Sequence, residues 1–494
     1  TTQRAGLLAI CRGHGMRLVG PDCFGVSVPG LGLDATFAAR PARPGVAGLV
    51  MQSGGLGFAL VDHLSRLGIG ISSFASVGDK LDVSGNDMLL WWERDDQTRL
   101  AVLYIESFGN PRKFARTARR VSAAMPVLTV LADRAALADT GTTAREALFE
   151  QAGVVATRGF GELIQATALL ATQPAPAGRD VAIVSNVGSA GTLAADACAD
   201  LGLTARAVVD TTAPVSAADF RRHLETVAAA GEVDAIVAIV LPTGATGDLA
   251  AAITAADTRG RPVAAVVLTQ PESVRMLDPA PDGSGRRIPA YGGPEIAVRA
   301  LARAAAYGAW HAEPRGRVPR FPDVRTADAR ALVQAALLGG SAELAGSAEL
   351  TGSAGPAGPV WLGPEQAAAL LRCYGLPLAD LPPTGTELTV RVTDDHMFGS
   401  LVTLCPPGSG TGAARLTPLT DRDAVKLSAA AGFPGHALLD DLLLRVGRLA
   451  DELPEVSELE LSPVVAGPDG VAVVNARVRV SPYQPQDPFL RRLR

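Results

Sequence analysis

Ser53, Gly54 and Gly55 stand between a short apolar run, Ala47 to Met51, and an amphipathic run, Leu56 to Leu67. Runs of that length and period read as a strand followed by a helix, which makes the three residues the turn that opens the helix. The first N–H groups of a helix have no intrahelical partner and carry the positive end of its dipole. A phosphoryl group would be held at such a turn without any lysine. Glu106 closes the buried run Leu100 to Ile105 and sets a carboxylate at a strand end. A second turn, Ser185-Asn186-Val187-Gly188, repeats the arrangement after the apolar run Asp180 to Ser185. Residues of these types in these places suit phosphate binding.

Alternating strands and helices must position them. Over residues 45–175 the strands are expected at Ala47 to Met51, Gly70 to Ser76, Leu100 to Ile105, Val127 to Leu131 and Gly153 to Ala156. Residues 178–312 repeat the plan, with Asp180 to Ser185 first and the runs VDAIVAIVLP and RPVAAVVLTQ as buried strands. Such alternation implies parallel sheets with helices on both faces. A hydrolase nucleophile elbow at Ser53 is excluded by Met51, which breaks the G-x-S-x-G pattern. His63 falls one turn into the first helix, where a solvated face is its plainer reading. The other histidines, 14, 223, 311, 396 and 436, are scattered.

Eight motifs in order carry a resemblance. They are MRLVGPDCFGV from Met16, QSGGLG from Gln52, VGDKLDVSGND from Val77, LYIESFGNPRKFARTAR from Leu103, EALFEQAGV from Glu146, SNVGSAG from Ser185, IPAYGGPEIAVRALARAAAYGAW from Ile288 and ELPEVSELELSPV from Glu452. The chain resembles the NDP-forming acyl-CoA synthetases, the ADP-forming acetate–CoA ligases related to succinyl-CoA synthetase. The resemblance implies an α/β protein. Residues 1–38 would be the C-terminal remnant of a CoA-binding Rossmann domain, with Met16 to Gly20 a buried parallel strand. Residues 45–175 and 178–312 would be two flavodoxin-like domains, 313–360 a flexible linker, and 361–494 a truncated ATP-grasp domain. It also implies a phosphate site at Ser53, Gly54, Gly55, Ser185, Asn186 and Gly188, with Glu106 the remnant partner of a phosphohistidine. Pro21 and Cys23 would lie beside CoA.

Departures from the family pattern fall where its chemistry is done. Such ligases pass a phosphoryl group from an acyl phosphate to a histidine and on to ADP. The expected histidine loop reads DRAALADTGTTAR, with Arg134 near the position of the histidine. The lysine-bearing first half of the ATP-grasp fold is missing after CYGLPL. The only lysines are Lys80, Lys113 and Lys426, and none falls where a nucleotide lysine belongs. The magnesium ligands, an asparagine and an aspartate in the family, read Ser462 and Asn475. A neutral pair is a poor partner for a hard cation, so no metal is expected. CoA or acyl-CoA remains the expected cofactor, weakly bound; ATP or ADP with Mg is implied by the family alone.

The resemblance therefore implies an impaired synthetase region serving as a regulatory or scaffold module of a larger acyl-CoA-dependent enzyme, such as a protein acetyltransferase. The alternatives are an active ADP-forming ligase completed by another subunit, or a decayed fragment. Expected partners are acyl-CoA and phosphate, a fused or associated GNAT acetyltransferase domain, and a second copy of the chain. Composition narrows this only slightly. A formal net charge of -5 gives no basic footprint for nucleic acid. No apolar run is long enough to span a bilayer. Five cysteines without a C-x-x-C pair suggest neither a disulfide framework nor a zinc site, and a cytoplasmic location is expected.

Overall fold

In the computed structural model, residues 2–107, 110–131, 139–244, 246–279, 285–346, 358–379, 384–395, 398–409, 411–468 and 470–483 are described. The chain divides into two units. One comprises residues 1–107, 113–134 and 152–313; the other comprises 108–112, 135–151 and 314–494.

The first unit opens with helix α1 (Thr2–Gly13) and the strands β1 (Gly25–Val28) and β2 (Leu33–Thr36). A doubly wound segment follows: β3 (Pro44–Met51), α2 (Gly54–Arg66), β4 (Ile71–Ser76), α3 (Gly85–Trp92), β5 (Leu100–Tyr104), α4 (Pro111–Ser122), β6 (Val127–Val130), β7 (Val154–Thr157) and α6 (Phe160–Thr172). Between β6 and β7 in sequence comes α5 (Asp139–Ala152), which up to Gln151 is assigned to the second unit. Strand β3 lies between β4 and β5, and β6 and β7 extend the sheet, all parallel. The chain thus reverses direction at β3, which leaves a crevice beyond the carboxyl ends of β3 and β5 where ligands of such sheets bind.

The sheet has a further, unexpected edge. Strands β1 and β2 form an antiparallel hairpin that pairs with β4. Met16 to Gly20, expected as a buried parallel strand, forms no strand at all. Its backbone is satisfied instead by the loop after β4: Val83 N–H donates to Leu18 O, Leu81 N–H to Gly20 O, and Asp79 N–H to Pro21 O, at 3.0, 3.2 and 3.0 Å. Backbone groups drawn out of water must find partners, and here the loop after β4 supplies the donors.

The second flavodoxin-like segment contains β8 (Asp180–Ser185), α7 (Gly188–Asp200), β9 (Thr204–Asp210), α8 (Ala217–Ala229), β10 (Ala235–Val240), α9 (Leu249–Ala255), β11 (Val263–Val267), β12 (Val274–Leu277), β13 (Ile288–Tyr291) and α10 (Pro294–Ala312). The order is β12-β13-β11-β10-β8-β9, parallel except for β12. Reversal recurs at β8. Helices α6 and α10 pack together; α6 touches β5, β6, β7 and β13, and α10 touches β7, β10, β11 and β13, so one apolar core joins the two sheets.

The second unit is built on an antiparallel sheet. Its elements are α11 (Thr326–Gly346), β14 (Val360–Trp361), α12 (Pro364–Cys373), β15 (Thr386–Asp395), β16 (Gly399–Cys405), β17 (Ala413–Leu416), α13 (Asp421–Ala430), α14 (Ala437–Glu452), β18 (Val456–Gly467), β19 (Gly470–Val473) and β20 (Ala476–Val480). The strands run β14-β20-β18-β15-β16-β17, with β19 against β18. Helix α11 corrects the expectation of a linker over 313–360. Ala329, Val333, Ala336 and Leu337 recur at helical spacing and are buried in this unit's core. Residues 347–357 of the low-complexity stretch lie outside the described residues.

Candidate functional site

The crevice beyond β3 and β5 is organised by Gln52, which opens the QSGGLG motif but is not among the expected site residues. Its N–H donates to Tyr104 O at 2.9 Å. Its Oε1 accepts from the backbone N–H groups of Glu106 and Ser107 at 3.0 and 3.1 Å, and its Nε2 donates to Ser107 Oγ at 3.1 Å. Gln52 thereby fixes the chain leaving β5 against the turn that opens α2. Ser53 is the N-cap of α2 with extended backbone and makes no side-chain cap bond, which leaves its hydroxyl uncommitted to the first helical turn.

Lys80 enters this cluster from the loop after β4. Its Nζ donates to Ser107 O and reaches Gln52 Oε1 at 3.5 Å. Partial burial pushes the amine down from its ordinary value to about 8, while the charge of Glu106 pulls in the opposite direction. Glu106 is exposed at the mouth of the crevice. The cluster thus combines a cation, a carboxylate and the N-terminus of α2. The signal that could have revealed Lys80 was its rarity together with its place in VGDKLDV, directly after the strand adjoining β3.

The Pro21–Cys23 turn packs against the same loop. Besides accepting from Asp79, Pro21 O lies where a side chain on Gly78, which has φ +46°, would collide at 2.2 Å. Arg17 Nε donates to the buried carboxylate of Asp82 at 2.6 Å, and Leu18 N–H donates to it at 3.1 Å. Arg4 joins Asp22 and Asp79 at 3.4 and 2.7 Å. The half-buried Cys23 thiol donates to Val19 O at 3.5 Å. Next along, Phe24 lies directly on the turn that opens α2: a side chain at Gly54 would meet its ring at 1.8 Å, whereas nothing lies within 4 Å of one at Gly55. Pro21, Cys23, Ser53, Gly54, Gly55 and Glu106 therefore belong to one region, together with Gln52 and Lys80.

The second turn is built on the same plan with the opposite charge. Asn186 follows β8 as Gln52 follows β3. Its N–H donates to Ile239 O at 3.3 Å, its Nδ2 to Leu241 O at 3.0 Å, and its Oδ1 accepts from Leu241 N–H at 2.8 Å. Ser185 Oγ is engaged with the backbone of Val187, donating to its O and accepting from its N. Asn186 thus spends its side chain on closing the crevice between β8 and β10, and Ser185 spends its hydroxyl within its own turn. Where Lys80 follows β4, Asp210 ends β9, and its carboxylate would lie 2.5 Å from a side chain on Gly188. A carboxylate already faces the positive end of α7. His63 lies on α2, its Nδ1 2.7 Å from Ala59 O and its ring edge-on to Phe160.

Ser462 and Asn475 are neighbours in the second unit, where Ser462 N–H donates to Asn475 O at 3.0 Å. Ser462 Oγ is 3.1 Å from Thr389 Oγ1, and Asn475 is exposed. A hydroxyl and an amide offer magnesium no charge, so this pair does not fit the ion that ATP-grasp chemistry uses. Among the described residues no group of three or more His, Cys, Asp or Glu is placed to hold a metal. Arg134 lies outside the described residues. No helix among them is long and apolar enough to cross a membrane.

Residues 44–170 match the succinyl-CoA ligase like flavodoxin domain, and residues 365–480 match an ATP-grasp domain. The alpha subunit of acetate–CoA ligase [ADP-forming] I from Pyrococcus furiosus is 35% identical over 40% of this chain, and the match spans 45% of that subunit, less than half its length. Acetate–CoA ligase [ADP-forming] I from Archaeoglobus fulgidus is 26% identical over 96% of this chain and 83% of its own. A crystal structure from Pyrococcus horikoshii OT3 superposes with a TM-score of 0.55 at 25% identity, covering 63% of this chain and 76% of that one.

Proposed function

These matches support a place for the chain in the NDP-forming acyl-CoA synthetase family, and from that premise we propose that it is an impaired member which binds without relaying. Its role is then that of an acyl-CoA-responsive regulatory or scaffold module within a larger acyl-CoA-dependent enzyme, a fused or associated GNAT acetyltransferase domain being one such setting. The observation that carries this reading is the absence of any histidine between His63 and His223, a span that includes the whole connection from β6 to α5. A relay that forms a covalent phosphohistidine has no pathway without its carrier. The neutral pair Ser462 and Asn475 supports the same conclusion at the nucleotide end.

Binding is a separate matter, and the crevice retains groups suited to it. Lys80 and the free N–H groups of α2 attract a phosphoryl or carboxylate oxygen, the helix end alone contributing about 0.3–1 kcal/mol. On this reading the Pro21–Cys23 turn, which packs against the loop that carries Lys80, holds a thioester-bearing ligand beside that cation. Glu106 opposes a second negative charge at the mouth, which favours a singly charged or thioester-linked acyl group over free phosphate. On this reading acyl-CoA and phosphate are ligands, and ATP is not made.

The test is to incubate the chain with acetyl-CoA, ADP, phosphate and magnesium, and separately with radiolabelled ATP. No ATP and no protein label are expected; acid-labile, base-stable label on a histidine would overturn the proposal. A second reading is favoured by one observation, that the Pyrococcus furiosus relative is a subunit. An active ligase completed by another chain would then form ATP once a subunit carrying the missing histidine and nucleotide lysines is added. Failure of acetyl-CoA to stabilise the protein at all would leave the relic reading.

A further inference from the structure

We infer that Lys80 is itself an acyl acceptor, a site at which a thioester bound in the crevice transfers its acyl group to the protein. The inference rests on the proposed docking of acyl-CoA by the Pro21–Cys23 turn. Three features of the geometry lead to it.

Lys80 is held, with φ +44° and its N–H donating to Val77 O at 2.7 Å, in a loop fastened to residues 18–21 by three backbone bonds. Two of the amine's hydrogens are directed to Ser107 O and Gln52 Oε1. A neutral amine has two hydrogens and one lone pair, so with both hydrogens so directed the lone pair points away from these acceptors. The charged groups around it are Glu106 at the end of β5 and, in its own loop, Asp79, which is paired to Arg4. The amine's lowered value of about 8 leaves roughly a tenth of it free near neutrality, hundreds of times the fraction of an ordinary lysine.

In the step, the Nζ lone pair attacks the thioester carbonyl, the carbon–nitrogen bond forms and the carbon–sulfur bond breaks. The proton released by nitrogen neutralises the departing thiolate, and the product is an amide. Lys80 loses its charge, so acylation removes the cation from the crevice and reports acyl-thioester supply as a lasting mark.

The intact chain is exposed separately to acetyl-CoA and to S-acetyl-N-acetylcysteamine, which lacks the nucleotide. Initial acetylation of Lys80, Lys113 and Lys426 is then measured by peptide mass spectrometry from about pH 6 to 10. Both donors are expected to label Lys80 about tenfold faster than either other lysine near neutrality, with a midpoint close to pH 8. Glu106→Gln should move that midpoint downward, because the carboxylate favours the ammonium form. Selective labelling by the small thioester but not by acetyl-CoA would uphold the acceptor and refute CoA docking. Labelling of Lys80 no faster than Lys113 and Lys426 by the small thioester would overturn the inference.

Discussion

Gly54 and Gly55 are adjacent, both begin α2, and both lie in the proposed phosphate turn, yet the same substitution should act on them with opposite sign. A methyl group at Gly54 would be built 1.8, 2.5 and 2.6 Å from Phe24 ring atoms, far inside contact distance. The Phe24 ring is set edge-on against Phe37 and Phe58, with centroids 6.1 and 5.0 Å away, so moving it aside gives up both contacts. Its neighbour Gly25 is also fixed, with φ +97° and a built side chain 1.9 Å from Ala35 O. Gly54→Ala must therefore displace the Phe24 ring or the segment that carries it, at a cost of about 1–3 kcal/mol. Gly55 has open space, and alanine there should stabilise by about 0.5–1 kcal/mol by restricting the unfolded chain. The two variants should differ by about 1.5–4 kcal/mol in urea unfolding followed by tryptophan fluorescence. Truncating Phe24→Ala in the Gly54→Ala background should recover part of the loss, a coupling of about 1 kcal/mol or more. Equal stability of the two alanine variants, or additivity in the Phe24 cycle, would refute the contact and with it the joining of the Pro21–Cys23 turn to the turn that opens α2.

Other consequences can be measured independently. Since Lys80 binds its proton less tightly in the folded protein than in the unfolded chain, the unfolded state holds more protons between about pH 8 and 10.5. Lys80 thus lowers stability below that window and its penalty is relieved as pH rises through it; Lys80→Met should remove that rise from the pH dependence of unfolding, and an unchanged slope would exclude the buried placement. Asn186→Ala should cost about 2–4 kcal/mol, because it leaves the backbone N–H and O of Leu241 without their bonds; a loss below the noise of chemical denaturation would show that the crevice of the second sheet is not closed this way. Restoring the family's donors with Ser462→Asn and Asn475→Asp should confer a magnesium-dependent rise in melting temperature that the parent lacks. If calorimetry detects tighter magnesium binding by the parent than by the double variant, the argument from ligand charge fails.

Fold class is legible in the sequence because period and length are local properties: apolar runs after which glycine opens an amphipathic helix define strand–turn–helix units wherever they occur. The lack of a histidine between His63 and His223 is likewise read from the sequence alone, as are the neutral residues Ser462 and Asn475. What it could not determine were contacts between segments distant in the chain. Met16 to Gly20 reads as a strand because strand propensity is local, but no described strand accepts it, and it pairs with the loop after β4 instead. The 313–360 segment reads as a linker because glycine and serine dominate its end, while the apolar positions at 329, 333, 336 and 337 gain meaning only once a core exists to receive them. Ser185 and Asn186 look as available as Ser53 by type and spacing. Only the tertiary structure shows that their hydrogen bonds are already made, and that β4 and β9, the equivalent strands of two similar sheets, lead to a cation in one crevice and a carboxylate in the other. The sign of that charge, which decides where an anion can bind, depends on which strand lies beside which, and strand order is set by packing across the whole sheet rather than by any residue's neighbours in sequence.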